Sequence, residues 1–426
     1  MDDYIQIILK TNNAKYSVPS NPISIPTKFA SSDLDKLLKE LLEGNAPDDV
    51  EFDFIIEKKF LLTTINEFLL ENKLSLETLT VFYTVKQRPP KLQNEIELDD
   101  LISCIRRKDK YILISCYDGT IQLWSVNADE PVFSVPLEIQ VKCVEWTSFD
   151  AEKNLATFAS GSFDQAIRLW EWNYKKDVLD CKYVLRGHKD TVTCLKSNEE
   201  HLISGSQDAS VKVWSLNEGN KVEGHAKKSN CDKIPTMLPD LTLTGHREML
   251  TGLDWVKDEK NKIVTVSWDH SIRVWDFNAT QGDETRCIMT SHALHALNVS
   301  QFDGRLLTGS SDTKIRIYDL RCKEESLSQI GFKQHNSWVT SVSWSPTKEE
   351  QFISGCVDGS VRLWDTRNSQ APLYQLMAHN EMVTTVDWAP PITQPTHDNP
   401  KSNVSKHFIL SGSADSTVKI FSVEQL

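Results

Sequence analysis

Histidine, a hydroxyl residue and aspartate recur together along this chain, and these are the three side chains of a nucleophilic hydrolase triad. The aspartates share one local pattern and are Asp118, Asp164, Asp208, Asp269, Asp312, Asp358 and Asp415. Four residues before the last six of them stand Ser160, Ser204, Thr265, Thr308, Ser354 and Ser411. The upstream histidines are His188, His246, His292, His335 and His379. An enzyme needs one such set, whereas this one recurs at least five times, so we predict paired, buried polar networks rather than catalysis.

The elements that position these residues follow from the same spacing. Six residues after each aspartate comes an aromatic: Trp124, Trp170, Trp214, Trp275, Tyr318, Trp364 and Phe421. The residues between read apolar, any, apolar, as in Ile121, Gln122 and Leu123, which predicts a strand that follows a tight turn. Successive aspartates are 43 to 61 residues apart, an interval typical of repeat architectures.

This pattern resembles the WD-repeat β-propeller, and seven repeats predict seven blades. The resemblance implies a His–Ser/Thr–Asp–Trp hydrogen-bonded network inside such blades. Leu137 takes the histidine position of the second repeat and Ile114 the hydroxyl position of the first, so we expect incomplete networks in those two blades. In this family a strand before the first repeat, here residues 95–100, joins the last blade beside residues 417–422. That pairing closes the ring and removes exposed sheet edges.

The charge balance bears on the class of partner. The chain of 426 residues has a net charge of −13 and a pI of about 5.4. Phosphate binding draws its affinity largely from lysine and arginine, so this balance disfavours non-specific nucleic-acid binding. We expect any link to nucleic acid to run through partners, and the sequence leaves direct contact with RNA open.

Cysteine usage and hydropathy bear on the compartment. The nine cysteines are scattered without a Cys-x-x-Cys pair, so we predict no zinc site, no disulfide framework and no cofactor. No apolar run is long enough to span a membrane and the N-terminus lacks a signal-peptide pattern, so we expect a soluble intracellular protein. The basic run at residues 106–110 is predicted to be a solvated loop of the first blade rather than a nuclear signal.

The first 85 residues follow a different pattern. Alternation at residues 4–9 predicts a strand, and a second short strand is expected at 16–18. Ser31 or Ser32 is placed to cap a helix with an apolar stripe, and Gly44 is placed to end it. The stripe consists of Leu34, Leu37, Leu38, Leu41 and Leu42. A strand at 52–56, a helical turn at 64–70 and a strand at 79–84 complete an order that resembles ubiquitin-like β-grasp domains.

The predicted fold class is therefore mainly β: a seven-bladed WD40 β-propeller preceded by an α+β ubiquitin-like domain. We predict the ubiquitin-like domain at residues 1–85, a Pro-containing linker at 86–92 and the propeller at 93–426. An insertion at 217–240 separates blades three and four.

This domain pairing resembles two related groups of ribosome-assembly factors. One is the WD-repeat member of the complex with Pescadillo and the block-of-proliferation protein, and the other is Notchless. The chain resembles the first over essentially its whole length, in having seven repeats where Notchless proteins have eight, and in the 217–240 insertion. The repeat motif alone says little about function, so the pairing carries the inference.

The resemblance implies a role in assembly of the large (60S) ribosomal subunit. The propeller would dock on the propeller of the block-of-proliferation protein, within a trimer that contains Pescadillo. That trimer joins large-subunit preribosomes and is required for pre-rRNA processing, which places the chain in the nucleolus and nucleoplasm.

The resemblance also implies a release step. The ubiquitin-like domain would be gripped by midasin, an AAA ATPase whose MIDAS domain binds a metal ion and takes an acidic residue from its client. In the family this residue lies in a Leu-Ser-x-Glu context, which Leu74, Ser75, Leu76 and Glu77 match, so the role falls to Glu77. A carboxylate suits a hard cation such as Mg²⁺, which prefers oxygen ligands. The alternative is that Glu77 is a solvated loop charge.

The residue before each blade aspartate lies at the top rim of a propeller. Those residues are Tyr117, Phe163, Gln207, Trp268, Ser311, Val357 and Ala414, and the inner-strand starts add Met249, His295, Trp338 and Met382. Because interfaces concentrate binding energy in aromatic anchors, we predict that Trp268, Trp338, Met249 and Met382 line a protein-binding face. Phe163 and Val357 are equally compatible with packing between blades.

Three competing interpretations remain at this point. An enzyme is the weakest, since the sequence has no P-loop, no zinc spacing and no nucleophile with a base nearby in sequence. A ubiquitin-ligase substrate receptor would also combine such folds, although the chain ends without the Gly-Gly needed for conjugation. A Notchless-like midasin client is the closest rival, and an eighth blade would favour it.

Overall fold

The computed structural model describes most of the chain in two compact units. The described residues are 4–11, 13–42, 50–57, 59–72, 78–126, 128–150, 152–198, 200–216, 234–277, 282–322, 328–332, 335–391 and 407–423. The first unit ends at Pro89 and the second runs from Pro90 to Val423. None of the helices in the described part of the chain has the length and apolar character needed to cross a membrane.

The first unit is a five-stranded sheet with two helices. Its elements are β1 (Tyr4–Lys10), a 3₁₀ turn (Ala14–Tyr16), β2 (Ile23–Pro26), α1 (Ser31–Leu41), β3 (Phe52–Ile56), β4 (Lys59–Phe60), α2 (Ile65–Glu71) and β5 (Thr78–Val85). The strand order is β2-β1-β5-β3-β4, with β5 parallel to β1 and antiparallel to β3. This mixed sheet, with α1 between β2 and β3, is the β-grasp topology that the element order predicts.

The core of this unit comes from the two periodicities seen in the sequence. Ile5, Ile7 and Leu9 of β1 are buried at period two, and Leu34 and Leu38 of α1 are fully buried at helical spacing. Both sets belong to one apolar cluster between sheet and helix. Leu41 belongs to the predicted stripe but lies at its solvent edge, 37% exposed.

Two local predictions in this unit are wrong. The second strand is Ile23–Pro26 rather than residues 16–18; Tyr16 ends the 3₁₀ turn, and Ser17 and Val18 follow it. Tyr16 and Val18 look strand-like in the sequence because both side chains are buried on either side of exposed Ser17. Their backbone is held by a buried tyrosine instead of a strand partner: the Tyr83 hydroxyl donates to the Tyr16 carbonyl at 2.7 Å and accepts from the Val18 N–H at 3.2 Å. The helix cap is Ala30, whose N–H donates to the Asp33 carboxylate at 3.1 Å, so Ser31 is the first helical residue. Gly44 lies outside the described residues.

The second unit contains seven antiparallel blades, which confirms the predicted fold class. It opens with β6 (Lys91–Glu97), so residues 91 and 92 of the expected linker belong to a strand. Blade 1 holds β7 (Ile102–Lys108), β8 (Tyr111–Cys116), β9 (Thr120–Ser125) and β10 (Phe133–Pro136). Blade 2 holds β11 (Val141–Asp150), β12 (Leu155–Ser162), β13 (Ala166–Asn173) and β14 (Val178–Arg186). Blade 3 holds β15 (Val192–Ser197), β16 (His201–Ser206), β17 (Ser210–Ser215) and β19 (Leu241–Thr244).

The remaining blades repeat this arrangement, and within each blade the first strand lies innermost. Blade 4 holds β20 (Leu250–Trp255), β21 (Lys262–Ser267), β22 (Ser271–Asp276) and β23 (Asp283–Met289). Blade 5 holds β24 (Leu294–Val299), β25 (Leu306–Ser310), β26 (Ile315–Tyr318) and β27 (Ser328–Phe332). Blade 6 holds β28 (Val339–Trp344), β29 (Gln351–Cys356), β30 (Ser360–Asp365) and β31 (Tyr374–Met377). Blade 7 holds β32 (Val383–Asp387), β33 (His407–Ser413), β34 (Thr417–Val423) and β6.

The ring closes through the strand that precedes the first blade. β6 pairs antiparallel with β34, from Thr417 opposite Glu97 to Ser422 opposite Lys91. The predicted closure is therefore confirmed, with a strand that begins four residues earlier than expected. Inner strands also join: the Thr384 hydroxyl of blade 7 donates to the Ile102 carbonyl of blade 1 at 2.7 Å.

The Thr384 contact is one of a series between neighbouring inner strands. A threonine at the second position of an inner strand donates to the first carbonyl of the next blade's inner strand. Thr193 and Thr251 make this bond at 2.7 Å to Leu250 and Leu294. In blades 2 and 5 the same position carries Lys142 and His295 instead, and both side chains line the mouth of the central cavity.

Each blade aspartate begins a tight turn. The residue after it has a positive φ in every blade, from 60° at Ala209 to 93° at Gly119. The carboxylate accepts the N–H two residues later, as from Ser210 to Asp208 at 2.9 Å and from Ser271 to Asp269 at 3.0 Å. This turn fixes which residue stands at the rim of each blade.

The basic run at residues 106–110 begins inside the inner strand β7, so the solvated-loop prediction is wrong for its two arginines. Arg107 is 5% exposed, its guanidinium donates to the Ala389 carbonyl at 2.7 Å, and its N–H donates to Asp387 at 2.9 Å. The Arg106 guanidinium donates to Glu145 of the next blade at 3.0 Å. These bonds link blade 1 to both neighbours, whereas Lys108 and Lys110 are exposed.

The end of the 217–240 insertion is an edge strand. Residues 217–233 lie outside the described chain, and β18 (Thr236–Met237) pairs parallel with β14 of blade 2. Met237 is buried in the same apolar cluster as Leu185 and Trp214. The insertion therefore returns along the outer edge of blade 2 before β19 completes blade 3.

Candidate protein-binding site

The residue before each blade aspartate is held at one end of its blade by a backbone hydrogen bond. Its N–H donates, at 2.9 to 3.1 Å, to the carbonyl of the residue just before the inner strand. The pairs are Tyr117–Leu101, Phe163–Gln140, Gln207–Thr191, Trp268–Met249, Ser311–Ala293, Val357–Trp338 and Ala414–Met382. This places Trp268, Met249, Trp338 and Met382 at the same end of blades 4, 6 and 7, here called the top face.

Two of the four predicted residues form a three-ring cluster with a histidine. His295 stacks on Trp338 with ring centroids 5.3 Å apart and planes 18° apart. Trp268 packs edge-on against the His295 ring, with ring centroids 5.7 Å apart, and its indole N–H donates to His295 Nδ1 at 3.3 Å. Trp268 and Trp338 nevertheless remain 39% and 52% exposed. Rings that are fixed in place yet exposed are suited to anchor a partner, because little side-chain entropy is lost on binding.

The methionines complete an apolar surface around a depression of about 490 Å³. Met382 is 41% exposed and Met249 is partly exposed, and both line this depression with the two tryptophans. On its far side the Lys142 ammonium lies 5.0 Å from the ring of Tyr117. Flexible thioethers beside rigid rings are typical of adaptable protein-binding surfaces.

Two further methionines on this face were not identified from the sequence. Met289 is 67% exposed and Met377 is 79% exposed, at the top ends of the outer strands of blades 4 and 6. A large apolar residue two or three positions before an upstream histidine is the signal that would have found them. Phe163 and Val357 are half-buried, with Phe163 6.0 Å from the Tyr117 ring.

The polar networks are complete in blades 3 and 4. In blade 4, Trp275 Nε1 donates to the Thr265 hydroxyl at 2.8 Å, His246 Nε2 lies 2.8 Å from that hydroxyl, and His246 Nδ1 lies 2.9 Å from Asp269. The same hydrogen-bonded network in blade 3 is formed by His188, Ser204, Asp208 and Trp214.

Burial lowers the pKa of both histidines, His188 and His246, so they are neutral. Burial would raise the pKa of Asp269, yet hydrogen bonds from Ser271 and His246 lower it to about 2. Blade 7 differs only in ending with Phe421, since His379 bonds Asp415 and Ser411.

An arginine replaces the histidine in two other blades. Arg316, four residues after Asp312, binds both oxygens of that carboxylate at 3.1 and 2.5 Å. His292 is displaced: its side chain is 49% exposed, and Nε2 lies 3.8 Å from Asp312, too far for a hydrogen bond. The expected network of blade 5 is therefore not formed by His292. Arg168 holds Asp164 in the same two-pronged way in blade 2, which has no histidine.

Blade 6 is intermediate between these two arrangements. His335 Nε2 and Trp364 Nε1 both lie 2.8 Å from the Ser354 hydroxyl. Arg362, however, approaches Asp358 at 3.5 Å, and His335 Nδ1 has no hydrogen-bond partner among the described residues. In blade 1 the Asp118 carboxylate accepts from Thr120, and Trp124 donates to Gln122.

One group of residues in blade 6 has metal-ligating side chains. Ligand atoms of His335, Cys356 and Asp358 lie within 4.8 Å of one another. The Arg362 guanidinium already places a positive charge beside Asp358, and Ser354 occupies the other nitrogen of His335. These contacts account for the cluster as a variant of the blade network.

The buried histidines predict loss of stability in mild acid. Burial lowers the pKa of His188, His246 and His379, and lowers that of His335 to about 3. In the unfolded chain these histidines bind a proton with a pKa near 6.5, whereas in the folded blades they stay neutral to lower pH. The free energy of unfolding therefore decreases as pH falls below about 6.5. His335 alone should cost about 2 kcal/mol at about pH 5. Urea unfolding followed by tryptophan fluorescence at about pH 7.5 and 5 measures this, because all 12 tryptophans lie in the second unit. Equal stability at the two pH values would contradict neutral, buried histidines.

The structure does not bear on Glu77. Residues 73–77 lie outside the described chain, between α2 and β5. Of the neighbouring acids, Glu67 caps α2 in a reciprocal pair with Thr64, at 3.2 and 3.3 Å. Glu71 is exposed at the end of the same helix.

A closed ring of seven blades with an exposed aromatic top face, in a chain that begins with a β-grasp unit, defines a WD-repeat protein with an amino-terminal ubiquitin-like domain. Family models agree with both parts. Residues 5–69 match the NLE (NUC135) domain. The WD domain, G-beta repeat, matches residues 179–215, 238–276, 285–319, 326–365 and 370–422.

Curated relatives extend this similarity over both domains. A ribosome biogenesis protein WDR12 homolog of Aedes aegypti is 34% identical over 427 residues, which cover 98% of this chain and 95% of the relative. Homologs with the same name from Culex quinquefasciatus and Drosophila mojavensis are 34% and 32% identical, with the same coverage. The chain belongs to the WDR12 family of ribosome biogenesis proteins.

Proposed function

We propose that this chain is a non-enzymatic scaffold for biogenesis of the large ribosomal subunit and for pre-rRNA processing. The observation that carries the proposal is the combination of an NLE-type β-grasp domain and a seven-bladed propeller in one chain, matched over 98% of its length by WDR12 homologs. Seven blades among the described residues favour this group over a Notchless-like client. The proposed location is the nucleolus and nucleoplasm.

The propeller supplies the partner-binding part of the proposal. The top face presents Trp268, Trp338, Met249 and Met382 to solvent around the depression, and nothing in the blade networks requires these side chains to be exposed. We assign this face to the propeller of the block-of-proliferation protein, within the trimer that includes Pescadillo. Exposed aromatic and methionine side chains on a rigid ring support this assignment over a purely structural role.

The β-grasp unit supplies the release handle. Glu77 is assigned to the metal ion of the midasin MIDAS domain, because it stands in the Leu-Ser-x-Glu context directly before β5. A single carboxylate on a firmly folded domain completes the oxygen coordination of a hard cation and passes force to the attached chain. The chain itself then needs no bound metal or cofactor.

Glu77→Ala is expected to abolish binding of the isolated MIDAS domain while the β-grasp unit stays folded. Loss of a metal ligand should weaken binding by about 100-fold or more, since it removes a charge-assisted contact that the site is built around. Calorimetry with the full chain measures the affinity, and circular dichroism checks the fold. Glu71→Ala is the matched control, an exposed glutamate six residues earlier, and should bind as the unchanged chain does. Equal binding by both variants would remove Glu77 from the proposal.

A further inference from the structure

We propose that His295 is the positioning residue of the top face: it fixes Trp268 and Trp338 as an anchor pair, and it does so only as the neutral tautomer with its proton on Nε2. This deepens the proposed function and rests on the top face being the partner-binding surface. His295 stands in blade 5, between the two blades that carry the tryptophans. It is the central ring of the cluster and touches both others.

The tautomer follows from hydrogen-bond chemistry. An indole nitrogen only donates, so the 3.3 Å contact between Trp268 Nε1 and His295 Nδ1 makes Nδ1 the acceptor. The neutral ring must then carry its proton on Nε2, which is buried without a partner among the described residues. The blade-network histidines are the opposite case, since His246 turns Nδ1 toward the Asp269 carboxylate.

The position of His295 in its strand is the second observation. Four blades place a threonine there, which is used to bond the neighbouring inner strand: Thr193, Thr251, Thr340 and Thr384. Blade 5 gives up that bond, and its side chain packs against Trp338 and Trp268 instead. In blade 5, therefore, the hydrogen bond between inner strands is replaced by ring contacts that orient Trp268 and Trp338.

Protonation would break this arrangement. A second proton can go only to Nδ1, which removes the acceptor that holds the Trp268 indole. The charged and titratable groups that line the same depression with His295 are Arg106, Tyr117, Lys142, Lys196 and Asp387, together with the thiols of Cys104, Cys143 and Cys194. Burial lowers the pKa of His295, and no charged neighbour offsets it, so the ring is neutral near pH 7 and the cluster is intact.

Three substitutions separate the two contacts. His295→Phe keeps a ring against Trp338 and removes the acceptor, His295→Asn keeps an acceptor for Trp268 and removes the ring, and His295→Ala removes both. Calorimetry with the purified propeller of the block-of-proliferation protein should show a loss of about tenfold for alanine, with smaller losses for the other two. Between about pH 7.5 and 5 the affinity of the unchanged chain should fall more than that of His295→Phe, which has no proton to gain.

A readout on the chain alone separates this proposal from the proposed function. A protonated imidazole against an indole alters its fluorescence, so the tryptophan emission of the unchanged chain should show an acid transition that His295→Phe lacks. If the chain does not bind the partner but this transition is present, the partner assignment fails and the positioning role stands. Identical emission curves for the two chains, or full affinity in His295→Ala, would overturn the positioning role.

Discussion

A chain that carries both Trp268→Ala and Trp338→Ala is expected to bind the block-of-proliferation propeller at least about 100-fold more weakly than the unchanged chain. Both rings are exposed, and both are held in place by His295, so each can bury large apolar area on binding at little cost in side-chain entropy. Neither ring belongs to a blade network, and the propeller should therefore keep its stability. Calorimetry between the two purified propellers measures the loss.

The matched control for this pair is Phe302→Ala. Phe302 is 39% exposed, the same fraction as Trp268, but it lies in the connection between β24 and β25 at the opposite end of blade 5. Its removal should leave the affinity unchanged. An undiminished affinity in the double variant would reject the top face and direct attention to the opposite end or to the 217–240 insertion. A comparable loss in Phe302→Ala would show that the binding surface reaches beyond the top face.

His246→Ala and His292→Ala occupy the same motif position in adjacent blades and should differ widely in effect. His246 is buried between Thr265 and Asp269, and its loss leaves the carboxylate and the hydroxyl without that partner. We expect a destabilisation of about 3 kcal/mol. His292 is 49% exposed and makes no hydrogen bond to Asp312, which Arg316 holds instead, so its loss should cost no more than about 0.5 kcal/mol.

Denaturant unfolding followed by tryptophan fluorescence reports this difference for the propeller unit alone. Similar losses in the two variants would mean that the motif position, and not the local partner of the aspartate, determines stability. A third variant, Arg316→Ala, tests whether Arg316 has taken the place of His292 as the partner of Asp312. It should destabilise blade 5 because it leaves the Asp312 carboxylate without its two-pronged partner.

Much of the fold is predictable because the same sequence pattern occurs seven times, once in each blade. The aspartate spacing locates each turn, the apolar residues on either side locate two strands, and the position of β6 beside β34 follows from ring closure. In the first unit, alternation at Ile5, Ile7 and Leu9 is sufficient for β1, and helical spacing of Leu34 and Leu38 for α1. Each of these signals lies within a short stretch of the chain, so it can be recognised from the sequence alone.

What could not be predicted depends on competition between side chains that meet only in the folded chain. Nothing in the histidine pattern shows that Arg316 displaces His292. An arginine four residues after the aspartate is visible in blades 2, 4, 5 and 6, but in blade 4 Arg273 binds Glu284 and His246 keeps the aspartate. Residues 16–18 alternate like a strand because Tyr16 and Val18 are both buried, yet their backbone is held by Tyr83, far along the chain, and not by a neighbouring strand. Arg107 reads as a solvated charge because its partners, Asp387 and Ala389, come from the last blade.

The candidate site divides in the same way. The positions of Trp268, Trp338, Met249 and Met382 at one end of the ring follow from their places beside the blade turns. The stacking of His295 between the tryptophans does not follow from spacing, because it depends on side-chain orientation across three blades. Glu77 stays a prediction carried by its motif.

The most direct test of the scaffold role is a tagged purification from cells, with the unchanged chain beside Glu77→Ala, read by mass spectrometry. We expect the unchanged chain to bring down Pescadillo, the block-of-proliferation protein and large-subunit precursors. We expect Glu77→Ala to keep these proteins, to lose midasin and to accumulate on the precursors. Cullins or unrelated clients in place of ribosomal precursors would contradict the assembly role and leave only the propeller and β-grasp folds standing.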